Sequence, residues 1–127
     1  MYINGVGGTG KSFLIQTIKA FTDALWDIAD VKCSLAAPTG LAAANIIGLT
    51  LHRIFQLPVE HEGRQAEYWA LPKDGQKMLK TVLRNMKLLI VDEVSMVSSL
   101  NLTYVHLRKG EIFGDHDWLD GKNVLFF

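Results

Sequence analysis

The 127-residue chain is 49% hydrophobic and 20% charged, a mix that can build the core of about one domain. Thirteen basic and thirteen acidic residues cancel, so bulk charge gives no argument for a nucleic-acid or membrane partner, although a local stripe can still be basic. No window reaches the roughly 18 consecutive apolar residues of a membrane span, the start lacks the basic and apolar regions of a signal peptide, and the single cysteine, Cys33, excludes an internal disulfide and fits a small buried residue in a reducing compartment.

Tyr2 and Ile3 read as the end of a first strand, shortened at its start. Residues 5 to 12, Gly-Val-Gly-Gly-Thr-Gly-Lys-Ser, match the phosphate-loop pattern G-x-x-x-x-G-K-[ST] at every fixed position. Gly5, Gly7, Gly8 and Gly10 are expected to take positive φ, so that successive N–H groups, Thr9's among them, line one concavity ahead of a helix N-terminus. Lys11 is then expected to reach the β- and γ-phosphates, and Ser12 to hold Mg²⁺. Phe13, Leu14, Thr17, Ile18, Phe21, Ala24, Leu25 and Ile28 recur at helical spacing and predict a helix over 11–29 with one apolar face.

Residues 32–37 read as a buried strand stopped by Pro38. Residues 41–47 read as a short helix ended by Gly48, and 50–55 as one or two further turns. Residues 57–75, with Pro58, Gly63, Pro72 and Gly75, read as an irregular insertion. In it, His61, Tyr68 and Trp69 are more readily packing residues than base-stacking ones. Helical periodicity returns over 76–86. Leu88 to Val91 is an unbroken apolar run, the mark of a parallel strand covered on both faces. A helix over 100–109, a polar acidic loop over 110–121 and a buried strand over 123–127 complete the chain. The alternation predicts an α/β fold of the P-loop NTPase kind, a parallel sheet with flanking helices and ligands at the carboxyl ends of the strands. The shortened first and last strands predict part of a larger domain, with open sheet edges.

The run Leu89-Ile90-Val91 ends in Asp92 and Glu93. At a strand's carboxyl end, Asp92 is placed to bind Mg²⁺ through water and Glu93 to orient and deprotonate a water. That choice favours hydrolysis over transfer to a small acceptor. Lys73, Lys77, Lys80, Arg84 and Lys87 recur at spacings of three and four. Such a stripe can track a phosphate backbone, but a solvated helix face is the preferred reading. Asp115, His116, Asp117 and Asp120 lack metal-ligand spacing.

The combination of Gly-Gly-Thr-Gly-Lys-Ser (7–12), Ala-Pro-Thr-Gly-Leu-Ala-Ala (37–43), Gly-x-Thr-x-His (48–52) and Asp-Glu-Val-Ser-Met (92–96) resembles the Pif-type DNA helicases, the 5′-to-3′ branch of helicase superfamily one, which includes Helitron helicases. The phosphate loop is generic; the other three runs are more specific. The resemblance covers 2–127 and implies that 1–127 is the front of a first RecA-like lobe. It implies ATP and Mg²⁺ at Gly8 to Ser12, with Asp92 and Glu93 as the Walker B pair. It also implies contacts to single-stranded DNA from Pro38, Thr39, Gly40, Thr50 and His52. A glutamine motif is expected before Met1, a Gly-Asp-x-x-Gln motif after Phe127, and a second RecA-like lobe with an arginine finger beyond. The implied function is ATP-driven unwinding of DNA and DNA junctions in repair, recombination or telomere maintenance, inside the cell, in the nucleus or mitochondrion. Two other readings compete. One is a P-loop small-molecule kinase, for which Arg53, Arg64, Arg84 and Arg108 are too scattered to form a lid. The other is a non-catalytic remnant of a transposon, against which the intact motifs argue.

Overall fold

The apolar run predicted to be a doubly covered strand is one. Leu88–Val91 (β3) is an inner strand of a parallel four-stranded sheet, paired on one side with Cys33–Ala37 (β1) and on the other with Asn123–Phe126 (β4). Leu49–Thr50 (β2) forms the edge beyond β1. Tyr2 bridges Phe126 in parallel, so the segment feeding the phosphate loop lies on the outer side of β4. The structure is a computed structural model and describes residues 1–25, 33–59, 67–114 and 122–127.

Side chains alternate across the sheet, as strand geometry requires. Leu89 and Val91 pack with Leu51 and Phe55 of α3 (Leu51–Phe55), Leu79 and Leu83 of α4 (Lys73–Arg84), and Val105 and Ile112 of α5 (Ser99–Phe113). Ile90 faces the other way, onto Ile15 of α1 (Lys11–Leu25) and Ala43 of α2 (Gly40–Asn45). The result is three layers, with α1 and α2 on one face and α3 to α5 on the other.

Cys33 is 2% exposed, and its burial pushes the thiol from an ordinary 9.0 up to about 11. A raised pKa means that the folded state favours the neutral thiol. Its contribution to stability is therefore full below about pH 9 and is lost as pH rises through about 11. At pH 8 the native thiol is expected to react with iodoacetamide at least about tenfold more slowly than in urea, since burial both reduces the thiolate fraction and shields the sulfur. Equal rates would show an open site.

Several boundaries differ from the sequence expectation for identifiable reasons. Helix α1 buries Ile15 and Thr22, while Phe13, Phe21 and Leu25 are exposed. Its apolar positions cover more than half the circumference, so periodicity alone does not choose the buried stripe. Helix α4 begins at Lys73, before the expected 76, and the irregular segment is correspondingly shorter. Helix α5 runs through Gly110 to Phe113 and stops at Gly114, which takes φ 70°. The burial of Arg108, Lys109 and Ile112 in that last stretch outweighs the helix penalty of Gly110, about 1 kcal/mol. The acidic residues Asp115 to Asp120 and the expected end of α1 lie outside the described residues, as does His61.

Helix α2 ends at Asn45, and the left-handed residue after it is Ile47, at φ 53°. Gly48 is needed for space rather than for φ. A Cβ there would stand 2.6 Å from the Leu35 carbonyl oxygen, because β2 turns in tightly against β1. Gly48→Ala is expected to cost about 1–3 kcal/mol, read as a lower urea midpoint; an unchanged midpoint would mean that β2 moves away freely.

The segment before α4 is held by a buried polar network that the sequence does not announce. Arg108 is fully buried. It donates to the carbonyls of Phe55 and Gln56 and pairs with Glu111 at 2.7 Å. Its guanidinium lies 4.9 Å and 5.1 Å from the ring centres of Tyr68 and Trp69. Glu111 also accepts from the Tyr68 hydroxyl, the Leu71 N–H and Gln76. Burial and the Glu111 hydrogen bond push the Tyr68 hydroxyl well above the usual tyrosine range. Tyr68 thus takes the packing role expected of it, while Trp69 keeps one side against Arg108 and is 48% exposed. Arg108→Met is expected to cost about 3–5 kcal/mol, because it removes the ion partner of the half-buried Glu111 and leaves the Phe55 and Gln56 carbonyls without this donor; equilibrium denaturation checks this, and a loss under ~1 kcal/mol would refute it.

Candidate functional site: a phosphate loop facing an acidic strand end

The loop from Gly5 to Gly10 is shaped by its own hydrogen bonds. The Thr9 hydroxyl donates to the Val6 carbonyl at 2.7 Å, and Lys11 Nζ donates to the carbonyls of Gly5 at 2.5 Å and Val6 at 3.2 Å. Gly8 and Gly10 take φ of 79° and 84°, conformations that side chains rarely adopt. Gly5 and Gly7 do not, which corrects the expectation that all four glycines do. Gly5 is required by proximity instead: a Cβ there would lie 2.8 Å from Thr9 Oγ1. A Cβ on Gly7, Gly8 or Gly10 would meet nothing within 4 Å, so those three open onto free space.

Helix α1 begins at Lys11, and Leu14 closes its first turn by donating to the Gly10 carbonyl at 3.0 Å. Its N-terminus, with unpaired N–H groups and the positive end of the helix dipole, therefore points into the loop.

A cavity of about 420 Å³ is lined by Gly7, Gly8, Gly10, Lys11 and Ser12 on one side and by Asp92 and Glu93 on the other. Two motifs some 80 residues apart in sequence thus share one space. Asp92 follows the last residue of β3 and is 6% exposed; its Oδ1 accepts the Glu93 N–H at 3.0 Å. Glu93 takes φ 54° and ψ 43°, a left-handed turn rare for a side-chain-bearing residue. That turn stops the strand and leads into the 3₁₀ turn Val94–Met96. Strain of this kind collects where a side chain must be aimed. Gly5 and Thr9 brace the loop without lining the cavity.

Ala42 and Asn45 of α2 also line it, and neither stands out in the sequence. Asn45 carries no motif signal; only the docking of α2, where Gln16 donates to the Ile46 carbonyl, brings it there. A separate, mostly apolar cavity of about 430 Å³ near Cys33, Leu35 and Ile54 contains no phosphate-loop residue, and its lining offers no comparable chemistry.

The other set of expected contact residues lies at the same end of the sheet but outside the cavity. Ala37 pairs with Thr50 in register, so Pro38–Gly40 and Thr50–His52 leave adjacent strands side by side. Thr39 caps α2 by accepting the Ala42 N–H, and Thr50 caps α3 by accepting the Arg53 N–H, both at 3.2 Å. Nothing lies within 4 Å of a Cβ on Gly40, which leaves its backbone approachable. Helix α2 therefore starts at the Thr39 turn and presents Asn45 to the cavity. Among the described residues, no group of His, Cys, Asp and Glu could hold a metal by itself, and no helix is long and apolar enough to cross a membrane.

A phosphate loop, two threonine-capped turns and an acidic strand end follow one another along the chain. The family model for PIF1-like helicases matches residues 1–117. The chain belongs to the PIF1-like helicase family. It is 31% identical over 102 residues to the ATP-dependent DNA helicase PIF4 of Trypanosoma brucei brucei, a match covering 80% of this chain and 12% of that protein. It is 34% identical over 97 residues to the ATP-dependent DNA helicase Pif1 of Bdellovibrio bacteriovorus, covering 76% of this chain and 20% of that protein. Among solved structures, unliganded Pif1 from Bacteroides superposes with a TM-score of 0.75 at 26% identity, over 99% of this chain and 26% of that one. A Pif1 helicase described at forked double-stranded DNA superposes with a TM-score of 0.78 at 28% identity, over all of this chain and 28% of that one. The sheet and its flanking helices are thus the RecA-like P-loop NTPase fold of PIF1-like helicases. The chain spans a fifth or less of these two curated relatives' length. Neither the small-molecule kinase nor the transposon remnant is favoured by these matches.

Proposed function

We propose that this PIF1-like chain is the front of the first RecA-like lobe of an ATP-driven DNA helicase, and that it supplies the nucleotide site. The observation that carries the proposal is the shared cavity, in which the phosphate loop faces Asp92 and Glu93. The residues fit Mg·ATP: glycines open onto the cavity, and a helix N-terminus, a lysine, a hydroxyl and two carboxylates sit around it. Lys11 and the loop N–H groups from Gly8 to Ser12 would hold the phosphates, while Ser12 and Asp92 would hold Mg²⁺. The bound ion would supply charge neutralisation for phosphoryl transfer. Glu93, exposed beside Asp92, would orient a water and accept its proton.

Pro38, Thr39, Gly40, Thr50 and His52 would contact a single strand of DNA. Their support is position: two adjacent turns at the carboxyl end of the sheet, with hydroxyls and an unobstructed glycine backbone suited to phosphate. A Bacteroides relative has been solved with ADP-AlF3 and single-stranded DNA together, which supports a nucleotide and a DNA strand as the two ligands of the protein. Helix α2, touching both places, is the natural link between them. A DNA substrate sets the protein inside the cell, in the nucleus or mitochondrion, and repair, recombination or telomere maintenance are the roles we assign it.

The test is strand separation by the longer protein that carries this chain, with ATP and a 5′-tailed duplex. Unwinding that needs ATP and a 5′ tail supports the proposal; ATP hydrolysis with no strand separation on any tail refutes it. Alone, the 127-residue chain is expected to turn over ATP far below ~1 s⁻¹, an ordinary enzyme rate, since it would lack the second lobe and its arginine. A DNA-stimulated, Lys11-dependent rate of ~1 s⁻¹ or more from the chain alone would contradict this.

A further inference from the structure

The basic stripe of α4 is more than a row on a solvated helix. Lys77, Lys80 and Arg84 line a concavity of about 510 Å³ whose other wall is Phe113 from the end of α5 and Lys122 from the approach to β4. Four cations from two distant parts of the chain therefore line one concavity. Among the described residues, no carboxylate lines the concavity. Lys80 Nζ lies 5.9 Å from the centre of the Phe113 ring, a cation–π contact that holds the ammonium over the rim. Lys122 Nζ donates to the Arg84 carbonyl at 3.1 Å, which fixes it at the C-terminal end of α4, where the helix dipole also favours a cation.

The place matters as much as the charge. Arg84 ends α4 just before β3 begins, and Lys122 directly precedes β4. The concavity thus lies at the amino ends of the strands, opposite the phosphate loop, Asp92 and the Thr39 and Thr50 turns.

We propose that this concavity is a second DNA-contact surface, which takes the phosphate backbone of duplex DNA. The cations form a line rather than a cage. From Lys77 to Arg84 the helix advances about 10 Å, roughly three nucleotide steps along one strand of duplex at about 3.4 Å each. A line of that length suits a linear polyanion, whereas a single small anion needs donors converging on one point. Phosphate contacts of this kind position DNA without reading sequence. They would hold a portion of the DNA distinct from the strand at Thr39 and Thr50. The choice of DNA among polyanions rests on the helicase reading; the charge geometry does not.

The test is binding of a fluorescent 30-base-pair duplex to the 127-residue chain over a range of salt concentrations, for wild type and for Lys77→Gln/Lys80→Gln/Arg84→Gln. These are exposed positions, so the variant should fold, and circular dichroism confirms that it has. The surface predicts at least tenfold weaker binding in the variant at low salt, and a log–log salt slope shallower by roughly two to three, since each lost phosphate contact removes about 0.9. As a second readout, Thr81→Cys carrying a photo-crosslinker should form adducts with the duplex, because Thr81 lines the concavity and the native Cys33 is buried. Unchanged affinity and slope, or no adduct, would overturn the proposal. So would displacement of the duplex by poly-glutamate at equal charge concentration, which would mark an acidic polypeptide as the partner. Binding of a fluorescent ATP analogue, measured alongside in Lys11→Ala, reports on the nucleotide site independently, so failure of the α4 surface and failure of the helicase reading are separable.

Discussion

Glu93→Gln in the longer protein is expected to keep ATP binding and to lower DNA-stimulated hydrolysis by about 10²–10⁴-fold, the usual contribution of a general base. The two side chains are nearly the same size, so the left-handed turn at φ 54° and the Glu93 N–H to Asp92 Oδ1 bond, a backbone interaction, should both survive. Only the proton acceptor is removed. The measurement is steady-state phosphate release together with affinity for a fluorescent ATP analogue. A variant that hydrolyses at the wild-type rate would move the base elsewhere. One that loses nucleotide binding as well would make Glu93 a structural residue, since its carboxylate is exposed and should not be needed to form the loop.

Lys11→Ala should behave differently. Among the described residues, Lys11 supplies the only ammonium lining the cavity, and an ammonium that moves with a developing phosphate charge stabilises the transition state more than the ground state. Hydrolysis is expected to fall by about 10²–10³-fold, and nucleotide affinity is expected to fall too, unlike in Glu93→Gln. Stability should hardly change. The Lys11 amino group contacts two carbonyls of a solvent-facing loop, and the loop keeps the Thr9 to Val6 bond and both positive-φ glycines. A melting temperature within a few degrees of wild type, with hydrolysis abolished, is the expected pair of results. A collapse of stability would mean that Lys11 holds the loop together.

The parts of this molecule that were legible in the sequence are those set by local rules. The phosphate loop is fixed by residue type at fixed spacing, and β3 by an unbroken apolar run ending in acids. The turn at Thr39 could be placed because a strand stopped by Pro38 must leave the sheet there, whereas a contact role for Thr39, Thr50 and His52 came only with the family resemblance. What could not be read depends on neighbours distant in sequence. Nothing local distinguishes Gly5, which yields to the Thr9 hydroxyl, from Gly8, which must turn left-handed. The buried stripe of α1 was unreadable because Phe13 and Phe21 are as apolar as Ile15. Gly110 looks like a helix stop until Arg108 is known to be buried. Arg108 itself looks like a surface charge until the carbonyls of Phe55 and Gln56 are known to lie within its reach. Asn45 and Lys122 acquire neighbours only once the chain is folded.

On the function proposed above, the cavity between the phosphate loop and Asp92-Glu93 powers work on DNA. The most direct measurement is the ATP hydrolysis rate of the longer protein that carries this chain, with and without single-stranded DNA, in wild type and in Lys11→Ala. The rate is expected to rise at least about tenfold with DNA and to fall by about 10²–10³-fold in the variant. A rate indifferent to DNA, or one that Lys11→Ala leaves intact, would contradict that function.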